Sequence, residues 1–161
     1  MNILMILAGG SFRLGGQGNK RIGEPASFEG QKDKCLSHRK FADDLLARDS
    51  VNVDSLINTY TTQYDDSLKG WYPPGTILSF NKPFIDDDRL LNDALAMIED
   101  FEKYEGILFV RIDLMLKPNF TDIFHLSDKI TFSSLISKRY IWRLANRRPR
   151  IVQKIGTQFT G

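Results

Sequence analysis

Six consecutive apolar residues near the start of the chain, Ile3-Leu4-Met5-Ile6-Leu7-Ala8, run directly into Gly9-Gly10. A strand with no polar alternation has to be covered on both faces, which is the situation of an inner strand in a parallel sheet layered between helices. The run is far below the ~20 residues needed to span a bilayer, and it lacks the basic flank of an export signal. The expected fold is therefore α/β, a mostly parallel sheet flanked by helices, with no transmembrane segment.

The rest of the pattern agrees with that start. Residues 14–34 carry Gly15, Gly16, Gly18, Gly23, Pro25 and Gly30 among charges, and read as a long loop of the length that is functional or mobile in compact domains. Phe41, Leu45 and Leu46 recur at helical spacing over 36–47. A second strand is expected over 53–60, then a turn at Pro73-Pro74-Gly75 and a third strand over 76–80. The stripe Leu90, Leu91, Ala94, Ile98 and Phe101 predicts one helix over 86–104, ended by Gly106. A fourth strand, Ile107-Leu108-Phe109-Val110, is followed by Arg111-Ile112-Asp113 and closed by Lys117-Pro118. Open sheets of this kind bind ligands at the carboxyl ends of their strands. Those ends are Ala8-Gly9-Gly10, Thr59-Tyr60 and Arg111-Ile112-Asp113.

At 161 residues the chain is of single-domain size. Residues 1–113 hold 13 Lys/Arg against 18 Asp/Glu, while residues 114–161 hold 9 against 2. The basic end reads as solvated surface beside an anion-binding cleft in preference to a nucleic-acid surface. Its arginines Arg139, Arg143, Arg147, Arg148 and Arg150, with Tyr140 and Trp142, define the rival reading of a non-catalytic nucleic-acid module. A single cysteine, Cys35, permits no internal disulfide and matches a reducing, cytoplasmic setting.

The chemistry-bearing residues gather at the strand ends. Asp113 follows a continuous apolar strand, where a carboxylate projects into a cleft and can hold Mg²⁺ or Mn²⁺ together with substrate phosphates. Arg111 falls on the same face of an extended chain and offers a planar fork matched to phosphate oxygens. Gly9 and Gly10 let a ligand approach the backbone, and Ser11, Phe12 and Arg13 supply a polar, an aromatic and a cationic group suited to a base and phosphate. Arg89 and Asn92 lie near the start of the helix that leads to the Asp113 strand. Asp86-Asp87-Asp88 spells D-x-D but stands at a helix start, where acids complement the dipole. His38 and His125 are isolated, and Cys35 is read as part of a charged loop. No C-x-x-C, H-E-x-x-H, Walker A or G-x-S-x-G motif occurs.

Taken together, the Gly-Gly-Ser-Phe-Arg strand end, Asn58-Thr59-Tyr60, the long helix and Arg111-Ile112-Asp113 resemble GT-A-type glycosyltransferases. The similarity runs over roughly residues 1–135 and is nearest to viral and bacterial surface-glycan enzymes in which R-x-D replaces D-x-D. The resemblance implies a single GT-A domain over 1–161. Residues 1–113 would bind a nucleotide sugar, UDP-linked by analogy, and the basic 114–161 would face a glycan acceptor. It places Ala8, Gly9, Gly10, Arg13, Tyr60, Arg89 and Asn92 around the donor. Asp113 is implied as the catalytic and metal residue, for Mn²⁺ or Mg²⁺, with Arg111 standing where the first acid of D-x-D would be.

The segment from Leu7 to Leu14 also resembles the L-A-G-G-x-G-x-R-L signature of sugar nucleotidyltransferases, one residue short, with Lys20 in the place of that family's lysine. An inverting transferase needs a general base, and beyond Asp113 the available acids are Asp122 and Asp128. Where similar enzymes carry an acid after a segment like Arg148-Pro149-Arg150-Ile151-Val152, this chain has Gln153. A retaining mechanism or a further acceptor-binding segment would remove that requirement.

Overall fold

The computed structural model describes residues 1–14, 21–81, 87–123 and 131–132. The apolar run forms β1 (Asn2–Gly9), followed by α1 (Phe28–Asp49), β2 (Asn52–Tyr60), α2 (Asp65–Trp71) and β3 (Ile77–Asn81). The chain continues through α3 (Asp87–Ala96), β4 (Gly106–Arg111), the single turn α4 (Phe120–Ile123) and a two-residue β5 (Thr131–Phe132). All four strand pairings are parallel, and the sheet order is β3-β2-β1-β4-β5.

β1 is the central strand because both its faces are apolar. Ile3, Met5 and Leu7 point to one side, where they pack with Ile57, Leu108, Val110 and the α1 residues Cys35, Phe41 and Leu45. Leu4 and Ile6 point to the other and meet Leu56, Ile107, Phe109 and the α3 residues Leu91, Ala94 and Leu95. Each of these five β1 side chains is at most 1% exposed, so the absence of alternation in the sequence is fully used. Two layers of helix thus enclose one sheet, a doubly wound α/β architecture of Rossmann-like type.

Several boundaries depart from the sequence pattern. α1 begins at Phe28, well inside the segment read as a loop. Pro25 opens a tight turn over Pro25–Ser27, the Ser27 hydroxyl donates to the Glu24 carbonyl at 2.7 Å, and the helix grows from there. At its far end Ser50 takes a left-handed φ of 53° and donates to the Leu46 carbonyl. α3 stops at Ala96 instead of continuing to Tyr104. The Asp100 side chain accepts from Glu102 N and starts a separate short turn, a local bond that competes with helix continuation. Ile98 and Phe101 still pack under the sheet, so the apolar stripe survives the break. α2 was not foreseen; its buried contribution is Leu68 alone, too little to create a periodic signal.

The order β3-β2-β1-β4 means that the chain leaves β1 toward β2 on one side and later returns past it to β4 on the other. The carboxyl ends of β1 and β4 lie side by side, and the loops that follow both turn to the α1 face, where Phe12, Ile112 and Leu116 join the core. Gly9 ends β1 there with φ of 117°, and no atom lies within 4 Å of where its Cβ would stand. The glycine requirement is therefore conformational and not a matter of space. Gly9→Ala is expected to lower the unfolding free energy by about 1–3 kcal/mol, read from urea melts. An unchanged midpoint would show that the backbone relaxes out of this conformation at no cost.

Candidate functional site

Side chains at the end of β2 tie it to β1, β3 and α3. Thr59, completely buried at the end of β2, donates its hydroxyl to the Gly9 carbonyl at 2.7 Å and accepts from Ser11 N at 3.1 Å. Its hydroxyl also shares a hydrogen bond with that of Ser11. Asn58 donates to the Leu90 carbonyl at 2.6 Å and accepts from Asn81, tying β2 to α3 and β3. These bonds fix where the loop after β1 begins.

Phe12 then takes φ of 52°, unusual for a residue with a side chain, and buries its ring completely among Phe28, Tyr64 and Trp71. The expectation that Phe12 and Ser11 face a nucleotide is thereby corrected: both are interior. The aromatic cage offsets the backbone strain, and the next residue, Arg13, is carried to the crevice.

There Arg13 meets the loop after β4. Arg111 donates from Nε to Asp113 Oδ1 at 2.9 Å and from a terminal nitrogen to Oδ2 at 2.7 Å, a two-bond fork. Arg13 approaches the same carboxylate at 3.8 Å. Arg13 and Asp113 are 12% and 13% exposed at their side chains and Arg111 32%, so the cluster is partly sheltered yet reachable. Two guanidinium groups thus converge on one carboxylate.

The loop bearing Asp113 is held from below by α1. Gln31, fully buried, accepts from Phe12 N and donates to the Ile112 carbonyl, each at 3.0 Å. One side chain therefore grips the residue before Arg13 and the residue before Asp113. Ser37 Oγ accepts from Leu116 N at 3.0 Å, and His38 Nε2 lies 2.8 Å from the Leu114 carbonyl. A carbonyl only accepts, so Nε2 carries the proton and Nδ1 accepts from the Tyr72 hydroxyl at 2.9 Å. Burial outweighs the Leu114 bond and pushes the His38 pKa down to about 4, keeping the ring neutral. Cys35 sits between these groups on α1, not in a charged loop, and burial pushes its thiol up. It contacts Gln31 Nε2 at 3.7 Å and the Tyr72 hydroxyl.

Among the expected donor-site residues, Ala8 pairs with Arg111 across the sheet, and Gly10 is covered by Ile22 and by the ring of the buried Tyr60. Ala8, Gly9, Gly10, Arg13, Tyr60, Arg111 and Asp113 thus share the carboxyl edge of the sheet. Arg89 and Asn92 lie on α3, on the opposite face from α1; Arg89 is exposed and forms an ion pair with Asp93 one turn on. Asp122 is ion-paired with Arg48 in the last turn of α1. Arg48 stands about 25 Å along the helix from Gln31 at the usual rise per residue, which removes Asp122 from the crevice. Lys20, Asp86, His125, Asp128, Gln153 and the basic residues from Arg139 to Arg150 lie outside the described residues, as do the Asp87 and Asp88 side chains.

Mg²⁺ and Mn²⁺ need several oxygen ligands around one point. Asp113 is a single carboxylate whose two oxygens already accept from Arg111, and among the described residues no three His, Cys, Asp or Glu gather as a metal group. Such a cluster suits an anion better than a hard cation. Also among the described residues, no helix is long and apolar enough to cross a membrane.

The fold and this cluster define a class: an α/β domain of Rossmann-like layering, with Arg13, Arg111 and Asp113 gathered at the carboxyl edge where the strand order reverses. Comparisons with protein-family models, curated proteins and solved structures found no match.

Gln31→Leu keeps the volume but leaves Phe12 N and the Ile112 carbonyl without their partner, and is expected to cost about 2–4 kcal/mol in urea-monitored unfolding. A loss no larger than that of an exposed α1 substitution would contradict the bridging role. His38 generates a pH dependence as well. Its unfolded pKa near 6.5 exceeds the folded value, so the unfolded chain binds the proton first as pH falls. Its contribution is complete above pH 6.5 and declines toward pH 4, by about 3 kcal/mol in total. Stability measured across this window is expected to fall less steeply in His38→Gln.

Proposed function

We propose that the chain binds the diphosphate of a nucleotide sugar in the crevice between β1 and β4 and transfers the sugar to a glycan acceptor. The observation that carries this reading is the convergence of Arg13 and Arg111 on one point of the carboxyl edge, where the strand order reverses. Ligands of open α/β sheets bind at such a reversal, and guanidinium forks match the geometry of phosphate oxygens. In a glycosyl transfer, the bond from the anomeric carbon to the diphosphate breaks and negative charge builds on the departing diphosphate. Arginines already held in place stabilise that charge without reorganising at the moment of reaction.

The polar interior bonds serve the same end. Thr59, Gln31 and His38 hold the backbone on both sides of the crevice, so the two guanidinium groups are set before a ligand arrives. Gly9, with no atom within 4 Å of where its Cβ would stand, keeps a side chain off the edge where a diphosphate would lie. The transfer step and the acceptor rest on the resemblance to GT-A enzymes, in which a strand-end motif occupies the position of Arg111-Ile112-Asp113. In this chain the arginines supply the countercharge usually assigned to a metal.

Titration calorimetry with UDP and a panel of UDP-sugars is expected to show binding to the wild type. Arg111→Ala should weaken it by about tenfold to a hundredfold, the worth of a charge-assisted fork. Arg111→Lys, which keeps the charge but loses the fork, should fall between. Equal affinity in all three proteins would refute the placement. Release of pyrophosphate from a nucleoside triphosphate and a sugar phosphate, without donor hydrolysis or transfer, would move the reaction to the nucleotidyltransferase class.

A further inference from the structure

We infer that Asp113 is an internal stand-in for the ligand's phosphate, occupying the guanidinium fork until a diphosphate displaces it. The inference rests on the anion-binding reading of the crevice and concerns how that site is regulated. Its basis is the geometry of the carboxylate. Both oxygens of Asp113 accept from the single guanidinium of Arg111, at 2.9 and 2.7 Å, the paired arrangement in which Arg also binds two phosphate oxygens. Arg13 lies on the other flank at 3.8 Å, an ion pair longer than a hydrogen bond. The carboxylate is therefore where a bound phosphate would receive most from the two arginines.

Chain geometry allows the exchange. Asp113 and Arg111 are two residues apart, so their pairing closes a short local loop and involves no distant element. The neighbouring backbone is anchored independently, through the Ile112 carbonyl on Gln31, Ile112 N on the Ala8 carbonyl and the Leu114 carbonyl on His38. The Asp113 side chain can rotate out toward solvent while those anchors stay. Arg111 is the most exposed member of the cluster, at 32%, and presents the open side.

The arrangement has two consequences. An empty crevice keeps its arginines ordered and partly neutralised, which limits binding of stray monoanions. A diphosphate, with more charge and more acceptor oxygens than one carboxylate, outcompetes Asp113. The sign of the Asp113 effect follows: neutralising its carboxylate removes a negative charge from beside the site and relieves the competition.

The test uses UDP and inorganic pyrophosphate as probes, in EDTA and again with Mn²⁺, on wild type, Asp113→Asn and Asp113→Ser, each checked for folding by thermal melting. The stand-in role requires both neutral variants to bind the probes tighter than wild type, by about tenfold or more, in EDTA. Loss of binding confined to Mn²⁺-containing buffer, or affinity unchanged from wild type, would overturn it. On the wild type itself, the Nε–H resonance of Arg111 should shift on addition of pyrophosphate as its partner changes; a stationary resonance at saturation also overturns the exchange. If the neutral variants gain pyrophosphate binding while no protein binds UDP, the stand-in role holds and the nucleotide-sugar reading fails. If no protein binds either probe, both fail.

Discussion

Gln31 makes two hydrogen bonds with one amide, and the crevice depends on them. Its oxygen holds the loop after β1 and its nitrogen the loop after β4, each at 3.0 Å and out of contact with water. These loops follow the neighbouring strands β1 and β4 and both turn to the α1 face. An amide is one of the few side chains that can accept from one main chain and donate to another. Through Cys35, Tyr72 and His38 the polar contacts continue to the Leu114 carbonyl, so the interior beneath the crevice is polar but satisfied. Among the described residues no buried side-chain nitrogen or oxygen lacks a partner, and a network of that kind stays rigid where a partly satisfied one would be costly.

The apolar layers make this arrangement possible. Five β1 side chains buried on two faces leave β1 no alternative to the middle of the sheet. With β1 central, β2 and β4 must flank it, and the loops that carry Arg13 and Asp113 become neighbours. The Arg13 loop is further fixed by a ring inserted into an aromatic cage under a left-handed backbone at Phe12. A charged cluster on the surface gains its order from an uncharged interior. Placing the arginines before ligand arrives is what a charge-stabilising site requires.

Much of this was legible in the sequence, for a definite reason in each case. β1, β2, β3 and β4 were found within a residue or so at each end, because buried parallel strands read as short apolar runs bounded by turn residues. Arg111 and Asp113 were legible as a pair from the two-residue period of a strand. The first eight residues of α1 lie outside the helix expected over 36–47 because the buried positions there, Gln31 and Cys35, are four apart but not strongly apolar. A search for polar residues at helical spacing that continue into Phe41 and Leu45 would have found them. Phe12 was misread as a ligand contact, since nothing local distinguishes an aromatic beside a glycine pair that faces a ligand from one that faces the core.

What the sequence by itself determined is the layered α/β class, the central place of the first strand and the edge at which charged residues collect. Periodicity and apolar runs depend on near neighbours along the chain, and those are printed in the order of residues. Only the tertiary structure decided that Arg13, 100 residues before Asp113, shares that carboxylate with Arg111. It also decided that Asp122 stands at the far end of α1 and that Gln31 joins two loops. These are contacts between segments brought together by strand order, and strand order is set by how the buried faces pack. The Gly9-Gly10 edge is visible in the first ten residues; the meeting of two guanidinium groups beside it required the whole sheet.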